Sequence, residues 1–371
     1  MMSARFLTVV LERAFNMRDG FGREIDYMRI SVIDSCNLNC YYCNPCDNNE
    51  HCYALNILSV KEVLCIVRAA TRLGIKHFRL TGGEPLLHPQ LDEMVLQIKK
   101  ISGVSSVSLT TNAVLLAQHA KWLKEAGIDS INVSLDTIDA SEYERITKKP
   151  LLEEVKHGIN AAIECGIRVK INVVLTPQTD VVALTRYVAK KGTDIRFIEM
   201  MPVGEGHTNG VEPYKKVIGT LSKLYGEPCR INTEKTKEIN SGNDKRKIPD
   251  NGPAEYYIFP ELGIRVGLIQ AIHGKFCDTC NRIRVTADGR LMPCLGSSVT
   301  MDLVPDSWDF ADDAEKDFSI VRALRAAIKA KPRCHNFNDN AVTYTKTTET
   351  KTTEIEAAEV NAARNMSRIG G

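Results

Sequence analysis

The feature that most restricts the fold of this chain is a regular alternation of apolar strand-like runs with amphipathic helical segments between residues 27 and 201. The strand-like runs are Tyr27–Ile33, His77–Thr81, Val104–Thr110, Ser130–Leu135, Arg168–Leu175 and Asp194–Met201. Between them lie Ser59–Leu73, Leu91–Ile101, Leu115–Ala126, Leu152–Cys165 and Val181–Lys190. Six βα units in a row imply a parallel sheet with right-handed crossovers, and either a partial barrel or a doubly wound sheet satisfies the pattern. Local signals agree. Ser59 with Glu62 three residues on fits a capping box, and Gly127, Gly166 and Gly192 stand where helices end on glycine.

After Pro202 the pattern changes. A loop with Gly204, Gly206 and Gly210 leads to one helix, a polar stretch over Asn232–Gly252, and shorter strands at Glu255–Phe259, Ile264–Ile269 and Arg282–Thr286. The turn Ala287-Asp288-Gly289-Arg290 reads as a hairpin. The expected organisation is an N-terminal extension over 1–20, the parallel α/β domain over 21–204, a smaller α+β domain over 205–335, and a mobile tail over 336–371. That tail is of low complexity around Thr343–Thr353 and ends in Gly370-Gly371.

The 48 Lys and Arg against 46 Asp and Glu leave a formal net charge of +2. Such a balance predicts neither a nucleic-acid partner nor a membrane surface, so any attraction for an anion must come from local placement of basic residues. No stretch reaches the roughly 18 apolar residues of a membrane span. Met1 to Phe15 lacks a small-residue cleavage site and reads as the start of a cytoplasmic chain, with a weak transit peptide as the lesser alternative.

Twelve cysteines are present and they cluster, five between Cys36 and Cys52 and three between Cys277 and Cys294. In a chain without a secretory signal, metal ligation or core filling outweighs disulfides. Cys36-x3-Cys40-x2-Cys43 directly follows the first strand, and three thiolates this close can grip three irons of a [4Fe–4S] cluster, leaving the fourth open. The alternatives are a zinc knuckle completed by Cys46 or His51, or a closed cluster with Cys46 as fourth ligand. Gly82-Gly83-Glu84-Pro85 ends the second strand, where parallel sheets bind ligands, and its glycines let a ligand approach the backbone closely. Cys277-x2-Cys280-x13-Cys294 is a second triad spanning the hairpin. Spacing alone does not separate a cluster there from a zinc site closed by Cys334 or His335.

Beside the second triad, Arg282 and Arg284 alternate with Ile283, so in a strand they share one face and suit bidentate recognition of phosphate oxygens. A solvated ribbon face is the plain alternative. Parallel strands are normally apolar on both faces, yet Arg29, Arg79, Lys170 and Arg196 each interrupt a different strand. A single one could pair with Glu199 or Asp136. Four on separate strands point to a shared basic cavity and a polyanionic small substrate such as a nucleoside triphosphate.

The first cysteine motif together with Gly82-Gly83-Glu84-Pro85 resembles the radical S-adenosyl-L-methionine (SAM) superfamily. Over nearly the whole chain the sequence is similar to the GTP 3′,8-cyclases of molybdenum-cofactor biosynthesis. The similarity runs through Phe21-Gly22-Arg23, Asp26–Val32, Arg79–Leu86, Leu109–Asn112, Ile131–Asp136, Val169–Asn172, Arg196–Glu199 and Cys277–Cys294 to the ending Met366–Gly371. The resemblance implies an α/β fold, an incomplete (β/α)6 TIM-like barrel closed by a smaller C-terminal α+β domain carrying a second cluster. It implies one [4Fe–4S] cluster on Cys36, Cys40 and Cys43, and another on Cys277, Cys280 and Cys294. SAM is then expected near Tyr42, Gly83, Ser134 and Met201, and GTP near Arg29, Arg79, Thr110, Lys170, Arg282 and Arg284. Gly370 and Gly371 are expected to reach into the site and, with Arg29, to act in catalysis.

The implied chemistry is cleavage of SAM to a 5′-deoxyadenosyl radical, hydrogen abstraction from the ribose C3′ of GTP, and addition of C3′ to guanine C8. Implied partners are a low-potential flavodoxin-like reductant, a downstream cyclic pyranopterin monophosphate synthase and a second copy of the chain. Several positions depart from the family: Asn44 in place of a common methionine, His77 in place of a lysine, the extra thiol of Cys46, and a long polar insertion over Thr343–Glu359. The competing reading is another radical SAM enzyme with an auxiliary cluster, such as a peptide-modifying maturase. It needs neither the basic strand residues nor the Gly-Gly ending.

Overall fold

Each core strand is apolar on one face and polar on the other. In β1 (Tyr27–Ser31) Met28 and Ile30 are buried, whereas Tyr27 and Arg29 border a central cavity. In β2 (His77–Thr81) Phe78 and Leu80 are buried while His77, Arg79 and Thr81 face the cavity. The same period of two holds in β3 (Ser106–Thr111), β4 (Ser130–Ser134), β5 (Val169–Leu175) and β6 (Asp194–Glu199). There Val107, Leu109, Ile131, Val133, Val169, Ile171, Ile195 and Phe197 pack outward under helices, and Ser108, Thr110, Asn132, Lys170, Asn172 and Arg196 point in. Successive strand side chains alternate in direction, so a parallel sheet curved around a cavity shows this pattern instead of the continuous apolar runs of a flat sandwich.

The computed structural model describes residues 17–43, 56–203, 211–231, 252–297, 299–303, 313–335 and 337. Asn44, Cys46, the insertion Thr343–Glu359 and the ending Gly370-Gly371 lie outside the described residues. The helices outside the core strands are α1 (Val60–Arg72), α2 (Leu91–Lys99), α3 (Leu116–Glu125), α4 (Ala140–Thr147), α5 (Leu152–Glu164) and α6 (Val181–Lys190). Ser59 and Glu62 do form the capping box of α1. Gly127, Gly166 and Gly192 have φ of 88°, 68° and 64°, the left-handed conformation that glycine adopts without a Cβ penalty. The helix α4 is absent from the sequence reading. It has only two turns and shares one crossover with α5, so its pattern merges with that of its neighbour.

The described strands form one twelve-stranded sheet in the order β12-β11-β10-β1-β2-β3-β4-β5-β6-β9-β8-β7. Here β7 is Cys229–Ile231, β8 Glu255–Ile258, β9 Arg265–Ile269, β10 Arg282–Val285, β11 Arg290–Met292 and β12 Met301–Asp302. After α7 (Gly219–Tyr225), β9 pairs in parallel with β6, and β10 pairs in parallel with β1. The segment after residue 204 therefore continues the core sheet at both edges. An open parallel sheet leaves unpaired N–H and C=O groups along its outer strands, and these later strands satisfy them. The predicted hairpin is the β10–β11 connection, closed by Thr286 N–H donating to the Arg290 carbonyl at 2.8 Å. A long helix not foreseen in the sequence, α8 (Asp313–Lys329), buries Ile320, Leu324, Ala327 and Ile328 and reaches α1 through an Arg72–Asp317 ion pair. No described helix is long and apolar enough to cross a membrane.

Candidate active site

Strand direction puts the two cysteine triads at opposite ends of the sheet. Cys36, Cys40 and Cys43 follow β1 and sit at the C-terminal ends of the strands, while Cys277 and Cys280 precede β10, whose first residue Arg282 is level with Tyr27 at the start of β1. Strands of five to seven residues separate the two ends by roughly 15 Å. One cavity of about 550 Å³ spans this distance, and all six cysteines line it. That volume falls within the range of small-molecule sites.

At the first triad the glycines serve a purpose that spacing did not reveal. A Cβ on Gly82 would lie 2.4 Å from the Ile33 carbonyl oxygen, and one on Gly83 would lie 2.1 Å from that of Ser35. Gly83 and Glu84 donate backbone N–H groups to those carbonyls at 2.8 and 2.7 Å. The two glycines thus let the β2 loop lie directly on the cysteine loop. Glu84 is buried and accepts from Thr111 Oγ1 and the Asn112 N–H, both at 2.7 Å, and from the Leu86 N–H at 3.0 Å. Burial outweighs these donors and pushes its carboxyl up to about 7. Asn112 Nδ2 donates to Asn37 Oδ1 at 2.7 Å and approaches Cys36 Sγ at 3.8 Å. The Tyr42 hydroxyl donates to Asp136, which also accepts the Val174 N–H at 2.8 Å, tying the cysteine loop to β4 and β5. Burial pushes Asp136 up to about 6.

The thiols here are hard to ionise. Burial, then the Glu84 charge, lifts Cys36 to about 11, and burial with Cys43 and Asp136 raises Cys40. Three converging thiols whose neighbours are one another and carboxylates call for positive charge from a bound centre, which an iron–sulfur cluster supplies. Among the described residues no three His, Cys, Asp or Glu side chains are arranged around a single ion. Cluster thiolates each hold a different iron and so stand farther apart than the ligands of one ion.

At the opposite end the surroundings are cationic. Burial alone would raise Cys280, but Arg282 and Lys331 outweigh it and hold the thiol below its ordinary value. Burial raises Cys277, against a hydrogen bond from the His335 backbone. Between the two ends, Arg284, Arg29 and Arg79 occupy one register row on β10, β1 and β2. Adjacent strands are about 5 Å apart, so like charges directly opposite repel. Burial and Arg284 lower Arg29 well below the ordinary guanidinium value, and burial with Arg282 pushes Arg284 down to about 10. Arg79 donates to the Tyr27 hydroxyl, to the Leu109 carbonyl at 3.2 Å and to Thr110 Oγ1 at 3.4 Å. Among the described residues, Arg196 Nη2, Arg282 Nε and Asn132 Oδ1 are buried without a hydrogen-bond partner. A cation row beside the orphaned guanidinium donors of Arg196 and Arg282 is the counterpart of a polyanion.

Two family models cover most of the chain: the radical SAM superfamily matches residues 30–183, and the molybdenum cofactor synthesis C family matches residues 193–337. The chain is 35% identical over 324 residues to the GTP 3′,8-cyclase of Clostridium perfringens (strain SM101 / Type A), covering 86% of this chain and 95% of that relative. It is 36% identical over 327 residues to the GTP 3′,8-cyclase of Pelotomaculum thermopropionicum, with the same two coverages. This chain belongs to the GTP 3′,8-cyclase family. Among solved structures it is similar to Streptococcus suis SuiB bound to precursor peptide SuiA. The TM-score is 0.53 at 15% identity, over 79% of this chain and 62% of that one, a likeness of fold alone.

Tyr42, Gly83, Ser134, Met201, Arg29, Arg79, Thr110, Lys170, Arg282 and Arg284 all line the one cavity. His77 lines it too, with Nδ1 hydrogen-bonded to Ser106 Oγ at 2.8 Å, and burial lowers its pKa. The sequence reading did not pick out Asn132, Asn172 and Lys331, which share that wall. The inward half of the strand period could have signalled the two asparagines. No local pattern signals Lys331.

Proposed function

We propose that this chain is a GTP 3′,8-cyclase, a lyase that converts GTP to (8S)-3′,8-cyclo-7,8-dihydroguanosine 5′-triphosphate in the first step of molybdenum cofactor biosynthesis. The observation that carries this reading is the register row Arg284–Arg29–Arg79, set in one cavity between two cysteine triads. Cys36, Cys40 and Cys43 would hold one [4Fe–4S] cluster, and Cys277, Cys280 and Cys294 the other. When bound, the first cluster with SAM supplies a 5′-deoxyadenosyl radical, and the second supplies an open iron for the guanine base.

The chain's own residues bind and orient. Arg29, Arg79, Lys170, Arg282 and Arg284 would hold the triphosphate by charge-assisted hydrogen bonds, with Thr110 fixing the nucleoside between the two ends. Tyr42, Gly83, Ser134 and Met201 would cradle SAM at the C-terminal ends of the strands. The helix-covered outer face of the sheet keeps the interior in register, so that reacting atoms meet in near-attack geometry away from bulk water. Gly370 and Gly371 lie outside the described residues. Their proposed part is catalytic, beside Arg29, and deleting them should abolish cyclisation while both clusters persist. A flavodoxin-like reductant, a downstream cyclic pyranopterin monophosphate synthase, a homodimeric state and a cytoplasmic location complete the proposal.

The test is anaerobic reconstitution with iron and sulfide, then addition of SAM, GTP and dithionite, with nucleotides read by mass spectrometry. About eight irons per chain, 5′-deoxyadenosine and a cyclised GTP product are expected. Deoxyadenosine with untouched GTP would refute the substrate.

A further inference from the structure

The second triad is held together by two buried cations from far apart in the chain. Lys331, which follows α8, is 2% exposed. Its ammonium donates to the Arg282 carbonyl at 2.7 Å and to the Pro293 carbonyl at 2.8 Å, and its charge helps hold the Cys280 thiol below its ordinary pKa. Arg282 lies two residues after Cys280, and Pro293 immediately precedes Cys294. A single ammonium therefore spans the two arms of the ribbon that carries two of the three cysteines. On the other side, Arg23 donates to the Cys277 carbonyl at 2.6 Å. Arg23 also reaches the carbonyls of Pro332 at 2.6 Å and Arg333 at 2.9 Å, beside Lys331.

Arg23 has its own carboxylate, Asp19, at 2.5 Å. Lys331 does not: among the described residues its ammonium is held by two carbonyls. Removing an ammonium from water without an anion is strongly unfavourable. The Cys280 sulfur, on which Lys331 acts, would supply an anion there as an iron-bound thiolate. At the first triad, by contrast, the groups acting most strongly on Cys36 and Cys40 among the described residues are carboxylates, other thiols and neutral donors.

We propose that Lys331 is a positioning residue for the second iron–sulfur cluster. It staples the cysteine-bearing arms to one another and sets a fixed positive charge against the Cys280 sulfur, which raises the reduction potential of that cluster. Reduction adds negative charge to the cluster, so a nearby cation favours the reduced state. The inference rests on the reading that Cys277, Cys280 and Cys294 hold a cluster.

The experiment uses the full-length chain with Cys36→Ala, Cys40→Ala and Cys43→Ala, so that only the second site is observed. After anaerobic reconstitution, iron content and midpoint potential are measured with Lys331 intact, Lys331→Gln and Lys331→Met. Lys331→Gln keeps a neutral donor for the carbonyls, and its cluster should retain iron but titrate at lower potential. Lys331→Met lacks both donor and charge and should also lose iron. An unchanged potential in Lys331→Gln overturns the proposal even if Lys331→Met fails to fold. Absence of a cluster with Lys331 intact would refute the underlying assignment instead.

Discussion

At the C-terminal ends of the strands, Cys36, Cys40 and Cys43 share their surroundings with Glu84 and Asp136. At the N-terminal ends, Cys277, Cys280 and Cys294 stand among Arg282, Lys331 and Arg23. The first triad is local: eight residues of one loop, seated on two glycines of the next. The second is assembled from a 3₁₀ turn, a hairpin and the chain after α8, with cations binding the pieces through carbonyls. This difference matches the proposed ligands. SAM is cationic at sulfur, so carboxylates nearby are compatible with it. GTP is polyanionic and requires the cationic end and the arginine row.

The largest effect that could break this comparison comes from removing each triad in turn. Alanine at Cys36, Cys40 and Cys43 should halve the iron and end 5′-deoxyadenosine formation. Alanine at Cys277, Cys280 and Cys294 should also halve the iron, yet leave deoxyadenosine detectable and remove only the GTP-derived product. Equal loss of deoxyadenosine in both variants would mean that the two ends do not divide the chemistry.

Next in size are single cations. Arg284→Ala or Arg29→Ala removes charge-assisted bonds of about 1.5–3 kcal/mol, so the KM for GTP should rise roughly 10- to 100-fold. Asn112→Ala, at the other end, should leave that KM unchanged. Steady-state product formation at varied GTP distinguishes the two.

A smaller effect sharpens the local character of the first triad. Gly83→Ala forces a Cβ to within 2.1 Å of the Ser35 carbonyl oxygen and should cost about 1–3 kcal/mol or more in chemical denaturation. Gly219→Ala meets nothing within 4 Å at a helical φ of −60°. It should be neutral or stabilising by up to about 1 kcal/mol.

The last effect is a pH slope. Burial raises Glu84 from 4.5 to about 7 in the folded chain, so the folded state retains a proton that the unfolded state releases. The Glu84 contribution is full below pH 4.5 and is lost as pH rises through about 7. Urea melts between about pH 5 and about pH 7.5 should show this loss, and Glu84→Gln should flatten it. A slope unchanged in Glu84→Gln would place the titrating group elsewhere.

Much of the site was legible because its signals are short-range. Arg29, Arg79, Lys170 and Arg196 stood out as charges inside apolar runs, and the inward face of the strands explains each of them. Gly82 and Gly83 do line the cavity, but the sequence did not show their second role, that the side a Cβ would occupy is filled by the carbonyls of Ile33 and Ser35. Arg23 was visible only as part of a motif, and its bond to the Cys277 carbonyl spans 254 residues.

By itself the sequence determined the order of βα units, the two triads, the caps of α1 and the presence of cations in the strands, because each depends on residues within a few positions of one another. Only the tertiary structure decided that β10 lies beside β1 with Arg284 level with Arg29, that the later strands cover both edges of the core sheet, and that Lys331 closes the second triad. Register between distant strands is set by sheet edges and by helices packed across the molecule, and no local period encodes it.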